Sequence, residues 1–374
     1  MTNFRVRRSL ADTPAYIPGR PPAAVEGMTS YKLSSNESHL GPLPAVVDAI
    51  TGAADTPALY PDPAGTDLTA ALAQFHDVGT DQVVLSAGSS ESLSALVGIT
   101  LEPGARAVYP WPSFEMYPQL TSFAGADRIA VPLTADGRHD LPGMAEAITE
   151  HTRLVLLCSP NNPTGAVLGD AEFDTFMSQV PEDLIVVLDE AYVEFADGSE
   201  AAARIRTPEG NLDAPVDAEQ ALATYSNLVV LRTFSKAHGL AGLRVGYAVA
   251  HPAIIHEMRK SIAPFSVGAA GQAAGLVSLA LRDEVLVRAK EVGAARDELA
   301  ARLREIGLAV PPSGGNFVWV PLGQHDSAAF SEVCMAHGLA VRNLGSGVRI
   351  TVGPPEAMER LVAVAQEFMQ GRDA

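Results

Sequence analysis

The chain has 374 residues, of which 47% are hydrophobic, and it carries a formal net charge of −18. This length is suited to two domains, and the apolar content predicts a substantial core rather than a disordered chain. The acidic balance argues against nucleic acid and anionic membranes as partners. No apolar run approaches about 18 residues, so no membrane span is expected. The first residues lack the apolar core of a secretion signal, which predicts a cytoplasmic protein.

Apolar strand patterns alternate with helical patterns along most of the chain, which predicts an α/β architecture. The two cysteines, Cys158 and Cys334, occur in a strand-like and a helix-like apolar pattern. We expect both to be reduced core thiols, and no metal site is predicted.

Residues 83–93 contain the first chemically informative pattern, an apolar strand followed by a glycine, two serines and a helical pattern. Backbone N–H groups at a helix start can bind an anion, so Ser89 and Ser90 are candidate phosphate ligands. Serine is also an ordinary helix-capping residue, and the segment alone leaves both interpretations open.

Two further apolar strands end in polar residues. Residues 154–165 run into a turn rich in Pro, Asn and Gly, where Asn162 is either a turn residue or an amide donor to a ligand. Residues 184–192 are typical of a parallel strand buried on both faces. Asp189 ends that strand and Tyr192 follows, and ligands of open α/β sheets collect at such carboxyl ends. The Asp189 carboxylate could pair with a protonated ring nitrogen of a ligand, such as a pyridine. The Tyr192 hydroxyl could hydrogen-bond an anionic ligand oxygen, such as a phenolate.

The segment 231–247 places Lys236 after another apolar strand, between the hydroxyls of Thr233 and Ser235, with Arg244 eight residues on. A desolvated lysine loses its proton more readily, and the neutral amine is the nucleophile that forms an imine with an aldehyde. Hydroxyls and a guanidinium suit a phosphate monoester. A lysine in such a loop is usually a solvated residue, but here the combination points to pyridoxal 5′-phosphate (PLP).

These segments, with residues 34–37, 60–63 and 349–353, occur in an order that resembles PLP-dependent aminotransferases of fold type I. The resemblance is greatest to the subgroup of histidinol-phosphate and aromatic amino acid aminotransferases. It implies a large PLP-binding domain with a mostly parallel central sheet flanked by helices, plus a smaller α+β domain. We expect an N-terminal arm and the start of the small domain in residues 1–44, the large domain in 45–250 and the small C-terminal domain in 251–374.

The resemblance also assigns roles. Lys236 would be the Schiff-base lysine and the acid/base that moves a proton between Cα and C4′. Asp189 would hold the pyridinium, while Tyr192 and Asn162 would hold the phenolate oxygen. Phe114 would stack on the cofactor ring. The phosphate ligands would be Ser89, Ser90, Thr233, Ser235 and Arg244.

For the substrate, the resemblance implies that Arg349 and Asn36 bind the α-carboxylate, for which a bidentate guanidinium is well suited. Tyr16 and Arg342 would lie near the substrate side chain. Tyr60 would reach across a homodimer interface to the partner's phosphate, so that two active sites are shared.

The function implied is transamination of an aromatic L-amino acid (Phe, Tyr or Trp) with 2-oxoglutarate, giving the aromatic 2-oxo acid and L-glutamate. Residues 236–244 and 316–323 resemble the aromatic branch more than the histidinol-phosphate branch. A histidinol-phosphate aminotransferase is the main alternative. A related PLP-dependent decarboxylase and a PLP-binding protein without catalysis are the others.

Two features depart from the family pattern. A polar segment over residues 197–224 is longer than expected and predicts an exposed insertion. His238 stands where the subgroup commonly has an aromatic residue, and either packing or an influence on the site could explain it.

Overall fold

A computed structural model describes residues 7, 10, 13, 17–53, 58–207 and 210–372. Tyr16, expected near the substrate side chain, lies outside these residues. The helices are α1 (Pro44–Ala53), α2 (Thr66–Phe75), α3 (Ser89–Thr100), α4 (Met116–Ala124), α5 (Leu141–Glu146), α6 (Asp170–Met177), α7 (Glu200–Ala203), α8 (Ala218–Thr224), α9 (Pro252–Ser261), α10 (Ala269–Ala280), α11 (Arg282–Glu305), α12 (Gly323–Ala336) and α13 (Pro355–Arg372). Within the described ranges, none of them has the length and apolarity needed to cross a membrane.

The strands are β1 (Tyr31–Lys32), β2 (Val83–Ser86), β3 (Arg106–Trp111), β4 (Asp127–Pro132), β5 (Thr152–Cys158), β6 (Ile185–Asp189), β7 (Leu228–Thr233), β8 (Gly246–Ala250), β9 (Phe317–Val320), β10 (Leu339–Ala340), β11 (Arg342–Asn343) and β12 (Val348–Thr351). Seven of them form the central sheet in the order β2-β8-β7-β6-β5-β3-β4. The neighbours from β7 to β4 pair in parallel, and β8 is antiparallel to both β2 and β7. The predicted mostly parallel sheet is confirmed.

Helices cover both faces of this sheet, and the apolar runs in the sequence reflect that double burial. Val229 and Leu231 of β7 pack into a cluster with α3 and α9. Leu228 and Val230 point to the other face and join a cluster with α6 and α8. The strand-like Cys158 belongs to the first cluster, and it is a buried thiol like Cys334 of α12.

A smaller α+β unit is built from the chain's two ends. Strands β11, β12 and β9 form an antiparallel sheet, and β1 pairs in parallel with β10. Phe317, Phe330 and Leu361 are completely buried in the core between these strands and helices α11 to α13. By contrast, α10 packs on α1 and α2, and α9 packs on α3. The domain division at residue 250 therefore stays a prediction, since α9 and α10 follow it in sequence but pack on the helices of the central sheet.

The polar segment 197–224 is less exposed than the sequence predicted. Its described residues include α7 and α8, and Ala201, Ile205 and Ala218 are buried. Glu200 also forms a 2.9 Å ion pair with Arg304 of α11. Most of the described residues of this segment are exposed, as predicted, but alanines and an isoleucine among the polar residues supply an apolar face that is buried.

Candidate active site

A cavity of about 260 Å³ lies at the carboxyl ends of β5, β6 and β7. Parallel strands place the residues that follow them at one edge of a sheet, which brings distant segments together. Ten of the predicted residues line this cavity, and its full lining is Ser35, Glu37, Ser89, Ser90, Phe114, Cys158, Asn162, Asp189, Ala191, Tyr192, Thr233, Ser235, Lys236, Ala241 and Arg244.

Lys236 projects its amine into this cavity. The Nζ atom donates a hydrogen bond to the carbonyl oxygen of Ser35 at 3.1 Å and lies 5.6 Å from the ring centroid of Tyr192. Desolvation in the cavity, with the nearby positive charges of Arg349 and Arg244, lowers the pKa of Lys236 to about 7. A substantial fraction of the amine is therefore neutral at neutral pH, which is the form that attacks an aldehyde.

Asp189 ends β6 and is buried beside Cys158, its register partner on β5. Its Oδ2 accepts a hydrogen bond from the Tyr117 hydroxyl at 3.1 Å, and its Oδ1 accepts from the Ala191 N–H at 3.3 Å. Burial raises the pKa of Asp189 to about 6, while these hydrogen bonds and Lys236 oppose the rise. No sequence pattern predicts this role for Tyr117, since nothing in its segment indicates a contact with a strand end 72 residues away.

Tyr192 is held by the N-terminal segment of the chain. The Asn36 side-chain amide donates to the Tyr192 hydroxyl at 2.9 Å. Burial raises the pKa of Tyr192 to about 12, so the hydroxyl keeps its proton and can donate it to a ligand oxygen. Asn36 has a positive φ of 55°, and it is fixed there by Thr351 Oγ1, which accepts from its backbone N–H at 2.9 Å. The side-chain amide of Asn316 also donates to the Asn36 carbonyl oxygen at 3.2 Å.

The start of α3 and the Lys236 loop form an anion-binding end of the cavity. Gly88 is the N-cap of α3 and makes no side-chain cap, so no N-cap side chain competes with an anion for the first N–H groups of the helix, at Ser89 and Ser90. Arg244 Nη2 donates to the Ala87 carbonyl oxygen at 3.2 Å. Gly88 has a φ of 80°, a backbone conformation that favours glycine, and a Cβ atom there would also lie 2.5 Å from that Nη2 atom. Thr233 Oγ1 donates to Ser235 Oγ at 2.9 Å beside them.

Arg349 connects the small unit to the cavity. Its Nη1 donates to Asn162 Oδ1 at 2.5 Å, and its Nη2 donates to the Ser34 carbonyl oxygen at 2.7 Å. Its guanidinium carbon lies 5.7 Å from the ring centroid of Phe317. The guanidinium is thus oriented beside Asn162 and beside the backbone two residues before Asn36.

Arg342 lies directly opposite Arg349 across the β11–β12 pair, and it forms an ion pair with Glu115 at 2.7 Å. Glu115 belongs to no recognised sequence motif, although it directly follows Phe114, which lines the cavity. A carboxylate next to a predicted cofactor-stacking residue was the available signal.

The chain that brings this lysine, aspartate, tyrosine and arginine together is similar to known proteins. The sequence profile of the family described as "Aminotransferase class I and II" matches residues 29–364. The chain belongs to this family.

Two curated relatives of this aminotransferase cover nearly its full length, and both carry the name aromatic amino acid aminotransferase. The protein from Thermobifida fusca is 43% identical, with 97% of each chain covered. The protein from Nocardia farcinica is 45% identical, again with 97% of each chain covered. Among solved structures, the histidinol-phosphate aminotransferase of Sinorhizobium meliloti in complex with pyridoxal-5′-phosphate superimposes with a TM-score of 0.85. It is 28% identical, and 98% of each chain is covered.

Two other residues discussed from the sequence lie away from the aminotransferase cavity. Tyr60 is 83% exposed and stacks on Phe265 with ring centroids 4.6 Å apart. Its predicted contact with a partner's phosphate stays a prediction. His238 is buried against Phe234, and its Nδ1 lies 2.7 Å from Ser278 Oγ. Burial and the charge of Arg282 lower the pKa of His238 to about 4, so it packs as a neutral ring.

Proposed function

We propose that this aminotransferase uses PLP to transfer the amino group of an aromatic L-amino acid to 2-oxoglutarate. The observation that carries the proposal is the partly buried Lys236 amine, which lines one cavity with the Asp189 carboxylate, and this cavity has an anion-binding end. The names of the full-length relatives support the aromatic substrate class.

The residues of the cavity fit PLP. An anionic phosphate suits the start of α3 together with Arg244, and it would be held there by Ser89, Ser90, Thr233 and Ser235. Asp189 supplies the negative charge for a pyridinium nitrogen, while Tyr192 and Asn162 supply hydrogen bonds for the phenolate oxygen. Phe114 offers a ring face for stacking. When bound, PLP supplies an aldehyde and a ring that withdraws electrons from the substrate Cα.

Lys236 would carry out the proton transfer. Because its pKa is lowered to about 7, the amine can both accept and return a proton near neutral pH. As a free amine, its Nζ atom is oriented by the hydrogen bond to the Ser35 carbonyl oxygen. Arg349 would bind the α-carboxylate of the substrate, which retains that carboxylate and so favours transamination over decarboxylation.

The proposal includes a homodimer with shared active sites. Tyr60 is largely exposed and does not line the cavity of its own chain, which is compatible with a role in the partner's site. Mixing an inactive Lys236→Ala protein with an inactive Tyr60→Ala protein should restore activity, because a hybrid dimer contains one intact site. Mixed protein that stays inactive while hybrids are detected by native mass spectrometry would contradict sharing.

A substrate panel tests the reaction. We expect kcat/KM for phenylalanine, tyrosine or tryptophan with 2-oxoglutarate to exceed that for histidinol phosphate. Histidinol-phosphate transamination is the second candidate, and it is favoured by the structural similarity to the S. meliloti enzyme. Turnover of histidinol phosphate far above that of every aromatic amino acid would overturn the aromatic proposal. Release of CO₂ would indicate a decarboxylase, and PLP binding without turnover would indicate a non-catalytic protein.

A further inference from the structure

Two buried arginines lie side by side at the edge of the small sheet. Arg342 and Arg349 are register partners in the antiparallel β11–β12 pair and are 8% and 6% exposed. Side chains at such positions have Cβ atoms about 4.5–5.5 Å apart and share one face of the sheet. Two guanidinium groups in this position repel each other unless an anion lies between or beside them.

Glu115 supplies that anion for Arg342. Its two carboxylate oxygens accept hydrogen bonds from Arg342 Nη2 at 2.7 and 2.8 Å. Glu115 is also the N-cap residue of α4, yet its side chain makes no cap to its own helix. The carboxylate is directed to Arg342, which is nearly enclosed, with a side chain 10% exposed.

The Glu115–Arg342 ion pair and the neighbouring Arg349 adjoin the cavity from two directions. Glu115 directly follows Phe114, which lines the cavity, and Arg349 donates to Asn162, which also lines it. If Arg349 binds the α-carboxylate, a second anionic group on a substrate would lie towards Arg342. Whether Arg342 can attract that group depends on Glu115.

We propose that Glu115 is a counter-anion that sets substrate choice by occupying Arg342. This inference rests on the proposed function. With the pair formed, a donor that carries a carboxylate on its side chain meets a neutralised arginine and a repelling carboxylate. An aromatic side chain meets neither penalty, so the pair favours aromatic over acidic amino donors. 2-Oxoglutarate must then displace Glu115 from Arg342 in the second half of the reaction.

Removal of the charge on Glu115 tests the proposal. In the Glu115→Gln holoenzyme, we expect the ratio of kcat/KM for glutamate over phenylalanine as amino donor to rise by roughly tenfold, because Glu115 no longer neutralises Arg342 or repels a side-chain carboxylate. Calorimetry with two substrate-like acids gives a readout independent of turnover. Glutarate should bind more tightly relative to 3-phenylpropionate, again by roughly tenfold.

A matched control is Glu359→Gln. Glu359 forms an ion pair with Arg302, at 2.8 Å between Arg302 Nη2 and Glu359 Oε2, on helices outside the cavity. This change should leave both ratios as they are in the native enzyme. Arg342→Gln is a second test variant, and it should weaken glutarate relative to 3-phenylpropionate, since Glu115 then repels the second carboxylate with no arginine to offset it.

The proposal is overturned if Glu115→Gln leaves both ratios unchanged, that is, if the two donors are affected equally in kcat/KM and the two acids equally in affinity. That outcome would make the ion pair a structural tie between α4 and β11. Failure of the proposed function is a separate result. It would be seen as a native enzyme that does not turn over aromatic amino acids, while the glutarate and 3-phenylpropionate affinities still report on Glu115.

Discussion

The hydroxyl of Tyr117 donates a hydrogen bond to Asp189 Oδ2 across 3.1 Å of the buried interior, from helix α4 to the end of β6. Burial raises the pKa of Asp189 to about 6, and this hydrogen bond opposes the rise because it stabilises the carboxylate. Tyr117 therefore helps to keep Asp189 negatively charged near neutral pH. That charge is what the proposed reaction requires opposite a pyridinium.

Replacement of Tyr117 with phenylalanine should make the enzyme more sensitive to acid. Loss of a hydrogen bond to a charged group raises the pKa of Asp189 further, and we expect the acid limb of the kcat/KM profile to move up by roughly one pH unit. The edge-to-face contact with Phe114, at 5.7 Å between ring centroids, would be retained. Measurement of kcat/KM between pH 5 and pH 9 checks this.

Tyr109→Phe is the control for that prediction. Tyr109 is a buried tyrosine whose ring lies 6.2 Å from that of Tyr117. Its hydroxyl is not the one that binds Asp189. The acid limb of Tyr109→Phe should coincide with that of the native enzyme. Equal shifts in both variants would assign the effect to general loosening of the core.

Lys236 should react with amine reagents at a lower pH than the other lysines. In the cofactor-free protein, we expect its rate of reductive methylation to rise with a midpoint near pH 7, since only the neutral amine reacts. Peptide mass spectrometry compares it with Lys32, Lys260 and Lys290. A Lys236 midpoint above pH 9 would show that the cavity does not desolvate the amine.

The same lysine can be tested for catalysis. Lys236→Arg should lower kcat by roughly 10²–10⁴-fold, because a guanidinium stays protonated and cannot act as the acid/base. Borohydride treatment of native holoenzyme should attach the cofactor to Lys236, and the variant should carry no such label. Label on another lysine of the native enzyme would contradict the assignment.

Arg349→Lys should weaken carboxylate binding. Two of its guanidinium nitrogens already bind Asn162 and Ser34, which fixes the planar group for bidentate contact with a ligand. An ammonium cannot reproduce that geometry, and we expect kcat/KM to fall by more than about tenfold, mainly through KM. A fall in kcat alone would show that Arg349 does not bind the substrate in its ground state.

His238 makes stability depend on pH. Its pKa is about 4 in the folded protein and 6.5 in the unfolded chain, so only the unfolded chain takes up this proton between those values. The contribution of the neutral ring is complete above pH 6.5 and is lost as pH falls towards 4. Between pH 7 and pH 5 this amounts to about 2 kcal/mol.

His238→Phe should therefore lose less thermal stability on that change of pH than the native protein does. The comparison is the difference in Tm between pH 7 and pH 5 for each protein. His325→Gln is the control, because His325 is 96% exposed and should leave the native difference intact. An unchanged pH effect in His238→Phe would show that His238 is protonated in the fold without cost.

Most of the fold, and the main catalytic and cofactor-binding residues of the proposed site, could be predicted from the sequence alone. Buried parallel strands can be recognised in the sequence because burial on both faces replaces the alternation of apolar and polar residues with a continuous apolar run. The polar residue that ends each run is informative because the carboxyl ends of these strands lie at one edge of the sheet. Those two facts were enough to predict that Asp189 and Lys236 meet in one site, and they do line the same cavity. The packing of the segment after residue 197 could not be predicted from the sequence, because its few apolar residues are separated by polar ones.

What the sequence determined is the set of groups: the lysine, the aspartate, the tyrosine and the arginines, each next to a recognisable strand or helix. What only the tertiary structure decided is which of them touch. Tyr117 reaches Asp189, Asn36 reaches Tyr192, and Glu115 reaches Arg342 over separations of 72, 156 and 227 residues. Local patterns report burial and turns, whereas such side-chain contacts depend on how whole elements pack, and that information is not local in the chain.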